Sequence, residues 1–244
     1  MFLTRHVIFL ILPILLIISG CASMPRHFAP AAELKIEKDV LYFNGAMQPR
    51  IILEAIRLSE KSKTPITTLR INSRGGDVEA GIEFGYFVYK KGLGVIVEES
   101  CFSSCANYII TAGRNTLVKS GAVVGWHGGA HQKDALWYQF SWYEHLIPGK
   151  VENAKKYWGG MLEHLRVKET EFFKTIGVDK QITTYGQTAD KSCRKNKMTT
   201  GWFYKLSDLK SMGVDDIHLE DGKFNEKNQK TNATACEMPK LFDA

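Results

Sequence analysis

A regular alternation between two kinds of apolar segment constrains the fold of this chain most strongly. Residues 66–71 follow Pro65 and include Ile66, Leu69 and Ile71, and we interpret this segment as a buried strand. The next segment, Val78–Lys91, instead repeats its apolar side chains at helical spacing on one face: Ala80, Phe84, Phe87 and Val88. Strands that alternate with helices in this way form a sheet covered by helices. The sequence therefore predicts an α/β fold.

The remaining predicted elements continue this alternation along the chain. Strands are predicted at 34–36, 40–43, 95–97, 117–118, 123–126 and 217–219, and helices at 50–62, 104–112, 151–175 and 206–212. Gly159 and Gly160 are a candidate break in the longest helix. We find neither an internal repeat nor a second domain in the sequence.

The amino terminus has the pattern of a bacterial lipoprotein signal. Arg5 precedes an apolar run over residues 7–18, and small residues then lead into Cys21. The apolar run is too short to cross a bilayer comfortably. We expect cleavage just before Cys21 and a lipid on that cysteine, with an uncleaved anchor helix as the alternative. Because Ala22 follows, we expect attachment to the outer membrane, facing the periplasm.

The rest of the chain is long enough for one domain with a proper core. After a signal peptide over residues 1–20 and a lipidated tether over 21–33, we expect the domain at 34–221. Residues 222–244 are predicted to be a polar tail, mobile unless Cys236 anchors it. The net charge of +6 is spread along the chain and indicates no nucleic-acid partner.

Four cysteines follow Cys21, and an oxidising compartment would allow them to pair. They are Cys101, Cys105, Cys193 and Cys236, which can pair in three ways. A local Cys101–Cys105 bridge would stiffen the serine-containing turn between them, and Cys193 would then pair with Cys236. The alternative is that Cys101 and Cys105 remain buried thiols. Neither pair has the close Cys-x-x-Cys spacing of common zinc sites.

Three short motifs together could form an acyl-transfer site. Gly75 and Gly76 follow a predicted strand, Ser104 begins a predicted helix, and His127 follows a later strand. Acyl transfer needs an oxyanion hole, a nucleophile and a base. Glycines let a substrate carbonyl approach their amides, the start of a helix favours negative charge, and histidine titrates near neutrality.

Each motif also has a simpler structural interpretation. Two glycines after a strand can form an ordinary turn, a serine can cap a helix, and a single histidine is more often structural. His127 and His131 have the spacing of two metal ligands on a helix, but Gly128 and Gly129 between them make that helix improbable. We therefore expect no metal and no other cofactor.

The order and spacing of these motifs resemble the Clp protease proteolytic subunit and its wider Clp/crotonase superfamily. The resemblance spans residues 66–216 and implies a single domain built as a spiral of β-β-α units. It also implies that the oxyanion amides come from the glycine turn, Gly75 and Gly76, and from Cys105. Arg74 stands where the family motif has proline, which puts an unexpected charge near the site.

The resemblance also assigns the nucleophile and the base. The family's nucleophile lies eight residues before the alanine and nine before the glycine of an Ala-Gly pair. Ser104 has this spacing to Ala112 and Gly113, whereas Ser103 is one residue too far from them. His127 falls where the family keeps its base, with a spacing from the serine that is about two residues shorter.

The third member of a catalytic triad is missing from the place that the resemblance gives it. Gly201 stands there, while Asp190 lies upstream and Asp208 lies inside the last predicted helix. Losing the acid from a triad can cost roughly 10⁴ in rate without abolishing the fold. The sequence therefore leaves open a Ser-His dyad, a relocated acid and a weakened descendant.

Together these features predict a periplasmic, lipid-anchored serine hydrolase, and the resemblance implies peptide or protein substrates. It also implies homo-oligomers, for which the aromatic residues in 137–143 are a candidate contact. The first alternative is a non-catalytic binding or scaffold protein on the same fold, which the missing acid and Arg74 favour. The second is crotonase-like chemistry on a thioester, in which Ser104 and His127 would have no role.

Overall fold

The computed structural model describes residues 32–134, 140–188, 192–193 and 199–242. The predicted signal peptide, the lipidation site Cys21 and the candidate acid Asp190 lie outside these ranges, as do most of the predicted tether and residues 137–139 of the aromatic segment. Within the described ranges, none of the helices has both the length and the hydropathy that a membrane span requires.

A mostly parallel sheet of seven strands forms the centre of the fold. The strands are β1 (Glu33–Glu37), β2 (Val40–Asn44), β3 (Thr68–Ser73), β4 (Gly94–Phe102), β5 (Thr116–Val118), β6 (Val123–Gly125) and β8 (Ile217–Leu219). Six of them follow the order β1-β2-β3-β4-β5-β8, in which only the β1–β2 pair is antiparallel. The predicted α/β class is confirmed, whereas the spiral of β-β-α units stays a prediction.

The sheet forks at β4, which is longer than its neighbours. The first part of β4, Val95 to Val97, pairs with β5, and the last part, Ser100 to Phe102, pairs with β6. Both pairings are parallel. One long strand thus serves two partners on the same side, which brings β6 beside the end of β4 without lengthening the main path of the sheet.

The described residues include the α-helices α1 (Pro49–Lys61), α2 (Val78–Lys91), α3 (Lys150–Ile176) and α4 (Leu206–Ser211). Helix α2 begins where the Asp77 side chain accepts a hydrogen bond from the Ala80 amide, and it ends at Gly92, whose φ of 61° suits glycine. The predicted break at Gly159 and Gly160 is wrong, because α3 continues through both residues.

Residues 104–112 were predicted to form a short α-helix, and the structure differs there. After two helical residues the chain forms a π-helical turn over Ala106–Ile110, all of it buried. Such turns insert one residue into a helix and occur often at functional sites. Tyr108 of this turn packs edge-on against Phe172 of α3, which fixes the turn in the core.

The predicted polar tail is also different, because residues 222–242 pack onto the domain. Their strand β9 (Ala235–Glu237) pairs with β7 (Gly201–Phe203) in a separate two-stranded sheet. Phe224 and Met238 are buried, and the Asp208 carboxylate accepts hydrogen bonds from two backbone amides near the end of the chain. The domain therefore extends well beyond residue 221.

Candidate active site

The three sequence motifs follow strands that are direct neighbours in the sheet. Strand β4 lies between β3 and β6, and the register pairs Cys101 with Ser73 on one side and with Val124 on the other. All three strands are parallel, so their carboxyl ends lie at one edge of the sheet, where α/β proteins bind their ligands. The glycine turn, the serine turn and His127 come directly after these strand ends.

The glycine turn needs its glycines for backbone conformation and for space. Gly75 and Gly76 have φ values of 86° and 154°, which side chains with a Cβ rarely adopt. A Cβ on Gly75 would lie 2.6 Å from the Phe102 carbonyl oxygen and 2.7 Å from Ser103 Cβ. The turn therefore packs directly against the serine-bearing segment, as an oxyanion hole beside a nucleophile requires.

The two glycine amides differ in availability. The Gly75 amide donates to Ser73 Oγ at 3.1 Å. The Met47 carbonyl accepts a hydrogen bond from the Asp77 amide, and the Met47 amide donates one to the Gly75 carbonyl. The backbone groups before and after Gly76 are therefore occupied. Among the described hydrogen bonds, none uses the Gly76 amide as donor. Of the two glycines predicted from the sequence, Gly76 is thus the one whose amide a substrate could reach.

Ser104 lies against the glycine turn and is almost fully buried. Its exposed fraction is 1%, and its hydroxyl donates to the Gly76 carbonyl oxygen at 3.0 Å. Ser103 is partly exposed and has a φ of 56°, a left-handed conformation that is uncommon for a residue other than glycine. Ser104 therefore lies beside the glycine turn. The left-handed backbone of the serine turn falls on Ser103.

Both cysteine pairs considered from the sequence are bonded in the structure. Cys101 is joined to Cys105 with a Cα–Cα distance of 5.2 Å, and Cys193 to Cys236 with a Cα–Cα distance of 5.9 Å. The first bridge encloses both serines. The second attaches β9, and with it the carboxyl-terminal segment, to residues 192–193.

His127 follows β6 and begins the histidine loop (residues 127–131), which the π-helical turn holds in place. The His127 side chain is exposed, and its carbonyl accepts a hydrogen bond from Gln187 Nε2 at 3.0 Å. The next carbonyl, that of Gly128, accepts a hydrogen bond from Asn107 Nδ2 at 2.8 Å. Asn107 belongs to the π-helical turn and lies three residues after Ser104. Its side chain therefore links the segment that follows the serine directly to the histidine loop.

A buried carboxylate on α3 holds the other end of the histidine loop. Glu169 is 0% exposed and accepts hydrogen bonds from the Tyr108 hydroxyl at 2.7 Å, the Ala130 amide at 3.1 Å and the His131 amide at 3.2 Å. Burial raises the pKa of Glu169, and it raises the pKa of Tyr108 well above its usual range with the Glu169 charge contributing. Glu169 thus connects the loop to the π-helical turn.

Sequence reasoning missed Asn107 and Glu169. Asn107 had a visible signal, because it is the only amide side chain in the apolar run of residues 106–110. Its Oδ1 atom is buried and has no hydrogen-bond partner among the described residues. Glu169 had no comparable signal, since α3 carries other glutamates that stay exposed.

The position expected for a triad acid lies next to the histidine but holds glycine. Trp126 and Trp202 exchange two backbone hydrogen bonds of 2.8 Å in an antiparallel bridge, which puts Gly201 opposite His127. Asp208 is buried, and its carboxylate bonds to the amides of Leu241 and Phe242. Asp208 therefore anchors the carboxyl-terminal segment.

Among the described residues, no three histidine, cysteine, aspartate or glutamate side chains are grouped closely enough to hold a metal ion. The Nε2 atom of His131 lies 2.8 Å from Thr170 Oγ1 on α3, and burial lowers the pKa of His131.

Comparisons with known proteins identify no family for this chain. No family model matches it, and no curated protein matches its sequence. Among solved structures it is similar to an enoyl-CoA hydratase from Mycobacterium avium subsp. paratuberculosis K-10, at 10% sequence identity and a TM-score of 0.31. This match covers 40% of the present chain and half the length of the hydratase. A TM-score this low establishes neither a shared activity nor a shared arrangement of the site.

Proposed function

We propose that this protein is a serine hydrolase of the Clp/crotonase fold, with Ser104 as nucleophile and His127 as base. The observation that carries the proposal is the convergence of three motifs at the carboxyl ends of the neighbouring strands β3, β4 and β6. A glycine turn with an available Gly76 amide lies against the serine turn there, and the histidine follows the adjacent strand. Acyl transfer needs these three parts in this proximity.

In the proposed reaction, the Ser104 hydroxyl leaves the Gly76 carbonyl and attacks the substrate carbonyl carbon while His127 takes its proton. The amides of Gly76 and Cys105 stabilise the oxyanion, each contributing roughly 10² to 10³ in rate. His127 then gives the proton to the leaving group, and an acyl-serine remains. Water, activated by His127, releases the acid and restores the serine. No cofactor or metal takes part in these steps.

We further propose that the protein acts on peptides or proteins from a lipid anchor on Cys21, in the periplasm and on the outer membrane. This part rests on the sequence pattern of the amino terminus and on the resemblance to the Clp protease subunit. A spiral of β-β-α units and assembly into a homo-oligomer are proposed on the same basis. The two disulfides fit an oxidising compartment.

One observation favours a second candidate, a non-catalytic binding protein on the same fold. The Ser104 hydroxyl is buried and already bonded to Gly76, and glycine occupies the position next to His127 where a triad would place its acid. A site of this kind could bind an extended peptide without cleaving it.

Labelling with a fluorophosphonate probe tests these candidates, because the probe reacts only with an activated serine. We expect the purified protein to be labelled, and labelling to be lost in Ser104→Ala and in His127→Ala. The matched controls are Ser211→Ala and His218→Ala, which alter an exposed serine and an exposed histidine away from the site and should leave labelling unchanged.

The same experiment decides between the two serines. If Ser103→Ala loses labelling and Ser104→Ala keeps it, the partly exposed residue is the nucleophile and the assignment by family spacing fails. A folded wild-type protein that is never labelled, at any probe concentration, would favour the binding protein. Retained folding in every variant is checked by thermal unfolding.

A further inference from the structure

The turn that carries the proposed nucleophile has a conformation that its own residues disfavour. Ser103 has a φ of 56°, where the Cβ of an L-residue approaches the following carbonyl oxygen. Such a conformation persists only where the surrounding structure imposes it. The question is which contacts impose it on this turn.

Two hydrogen bonds attach the serines to neighbouring segments. The Ser103 amide donates to the Gly125 carbonyl, and the Ser104 hydroxyl donates to the Gly76 carbonyl, both at 3.0 Å. Each of these bonds fixes one residue to a neighbouring strand end. A third bond, from the Asn107 amide to the Ser103 carbonyl at 2.8 Å, joins the turn to the π-helical turn, but none of the three reaches back to Cys101.

The Cys101–Cys105 bridge makes this connection. Cys101 is fixed on both sides, because it pairs with Ser73 of β3 and with Val124 of β6. Cys105 is the last residue before the π-helical turn, and both cysteines are 0% exposed. The bridge brings the two Cα atoms to 5.2 Å, although four residues of extended chain could span about 13 Å. It therefore ties the start of the helix to the central strand.

We infer that the Cys101–Cys105 bridge is the positioning element of the nucleophile turn, so that the site works only after this bridge has formed. The inference rests on the proposed hydrolase function. Without the bond, two buried sulfur atoms with their hydrogens must separate within a closely packed core. That separation moves Cys105, whose amide is a proposed oxyanion donor, and relaxes Ser103.

The site tolerates little movement, because the serine turn already touches the glycine turn. A Cβ at Gly75 would lie 2.8 Å from the Ser104 amide nitrogen, so the two segments are in direct contact. Misplacement of a reacting group by about 1 Å can reduce a rate roughly 10²-fold. A reduced turn is therefore expected to keep the fold and lose the chemistry.

The redox step itself is ordinary thiol–disulfide exchange. The two thiols lose two protons and two electrons, and a disulfide oxidant such as oxidised glutathione takes them up and becomes two thiols. A chain that is reduced during synthesis would stay inactive until it reaches an oxidising compartment. The absence of the bridge would thus keep the hydrolase inactive before export.

The second bridge supplies a matched control for the test. The double variant Cys101→Ala/Cys105→Ala is compared with Cys193→Ala/Cys236→Ala by fluorophosphonate labelling rate and by Tm. We expect the first variant to be labelled at least about 10-fold more slowly than wild type, and the second within about twofold of it. The second variant should nevertheless show the larger fall in Tm, because its bridge closes the longer loop.

A redox titration keeps the test informative if the first double variant does not fold. In the Cys193→Ala/Cys236→Ala background only the local bridge remains. The labelling rate in glutathione buffers should then follow the fraction of protein in which Cys101 and Cys105 are bonded, measured by alkylation and mass spectrometry. Full labelling of the reduced protein, or of Cys101→Ala/Cys105→Ala, would overturn the inference.

Failure of the proposed function remains distinguishable from failure of this inference. If oxidised wild type is never labelled, amide hydrogen exchange of residues 103–107 replaces labelling as the readout. Faster exchange in Cys101→Ala/Cys105→Ala than in Cys193→Ala/Cys236→Ala supports positioning by the bridge. Equal protection of these amides in the two variants contradicts it.

Discussion

The serine turn and the histidine loop form the two sides of the candidate site, and they are held by different kinds of force. The serine turn is closed by a covalent bridge around a strained residue, Ser103. The histidine loop is held by hydrogen bonds, of which those to the buried carboxylate of Glu169 are the most enclosed. The turn should therefore respond to redox conditions, and the loop to pH.

The two regions are nevertheless coupled through one short helix. Asn107 and Tyr108 follow the serine turn by a few residues, and they bond to the Gly128 carbonyl and to Glu169 respectively. A displacement of the serine turn would therefore be transmitted to the histidine loop.

The largest effect is expected from removing the carboxylate that holds the loop. Glu169→Ala leaves the Tyr108 hydroxyl and two backbone amides buried without their acceptor, and each such loss costs about 1–3 kcal/mol. After allowance for the relief of a buried charge, we expect the free energy of unfolding to fall by roughly 3 kcal/mol. Urea unfolding measures this change.

Glu171→Ala is the matched control for that change, because Glu171 is an exposed glutamate on the same helix. Its free energy of unfolding should stay within about 0.5 kcal/mol of wild type. Equal effects of the two substitutions would show that Glu169 does not organise the loop.

The contrast between the two regions also shows what the sequence could reveal. Helix α2 was predicted with its observed ends from the apolar stripe on one of its faces, and the structure adds the Asp77 cap and the left-handed Gly92. The ends of β3 and β6 were predicted to within about two residues, whereas β4 continues to Phe102, well beyond its predicted end at Val97. Strands β7 and β9 were missed, and their pairing depends on contacts between residues far apart in the chain.

Other parts of the site depend on contacts that no local pattern records. The π-helical turn inserts a residue that a 3.6-residue period does not reveal. The left-handed backbone falls on Ser103, where glycine would have signalled it. The burial of Glu169 follows from the packing of α3 on Tyr108, 61 residues earlier in the chain.

A smaller effect is expected in the pH dependence of stability. Burial raises the pKa of Glu169 above its ordinary value of 4.5, with Tyr108, two backbone amides and Lys180 opposing the shift. The folded state therefore binds this proton more tightly than the unfolded state does. The resulting stabilisation is present below pH 4.5 and is lost as the pH rises through the folded pKa.

The variant Glu169→Gln, which cannot ionise, removes this contribution. The free energy of unfolding of wild type minus that of Glu169→Gln should decrease between about pH 4 and about pH 8, by roughly 1.4 kcal/mol for each unit of pKa shift. Urea unfolding at a series of pH values gives the difference. A flat or rising difference would show that the Glu169 pKa is not raised.

The smallest effect concerns the strained backbone of the serine turn. The variant Ser103→Gly should be more stable than Ser103→Ala by about 0.5–1 kcal/mol. Glycine relieves roughly 1–2 kcal/mol of left-handed strain, and its greater entropy in the unfolded chain offsets part of this gain. At Ser104, whose backbone is helical, Ser104→Ala should instead be more stable than Ser104→Gly by a similar amount. Each pair of variants lacks the hydroxyl, so lost hydrogen bonds cancel in the comparison.

Opposite stability differences between the glycine and alanine variants at Ser103 and Ser104 would be the clearest evidence that the turn is strained. If the Cys101–Cys105 bridge imposes that strain, the preference for glycine at Ser103 should shrink in the Cys101→Ala/Cys105→Ala background, because the relaxed turn no longer needs a positive φ. The preference at Ser104 should not change there. A preference at Ser103 that is equal with and without the bridge would assign the strain to the strand contacts at Gly125 and Gly76 instead.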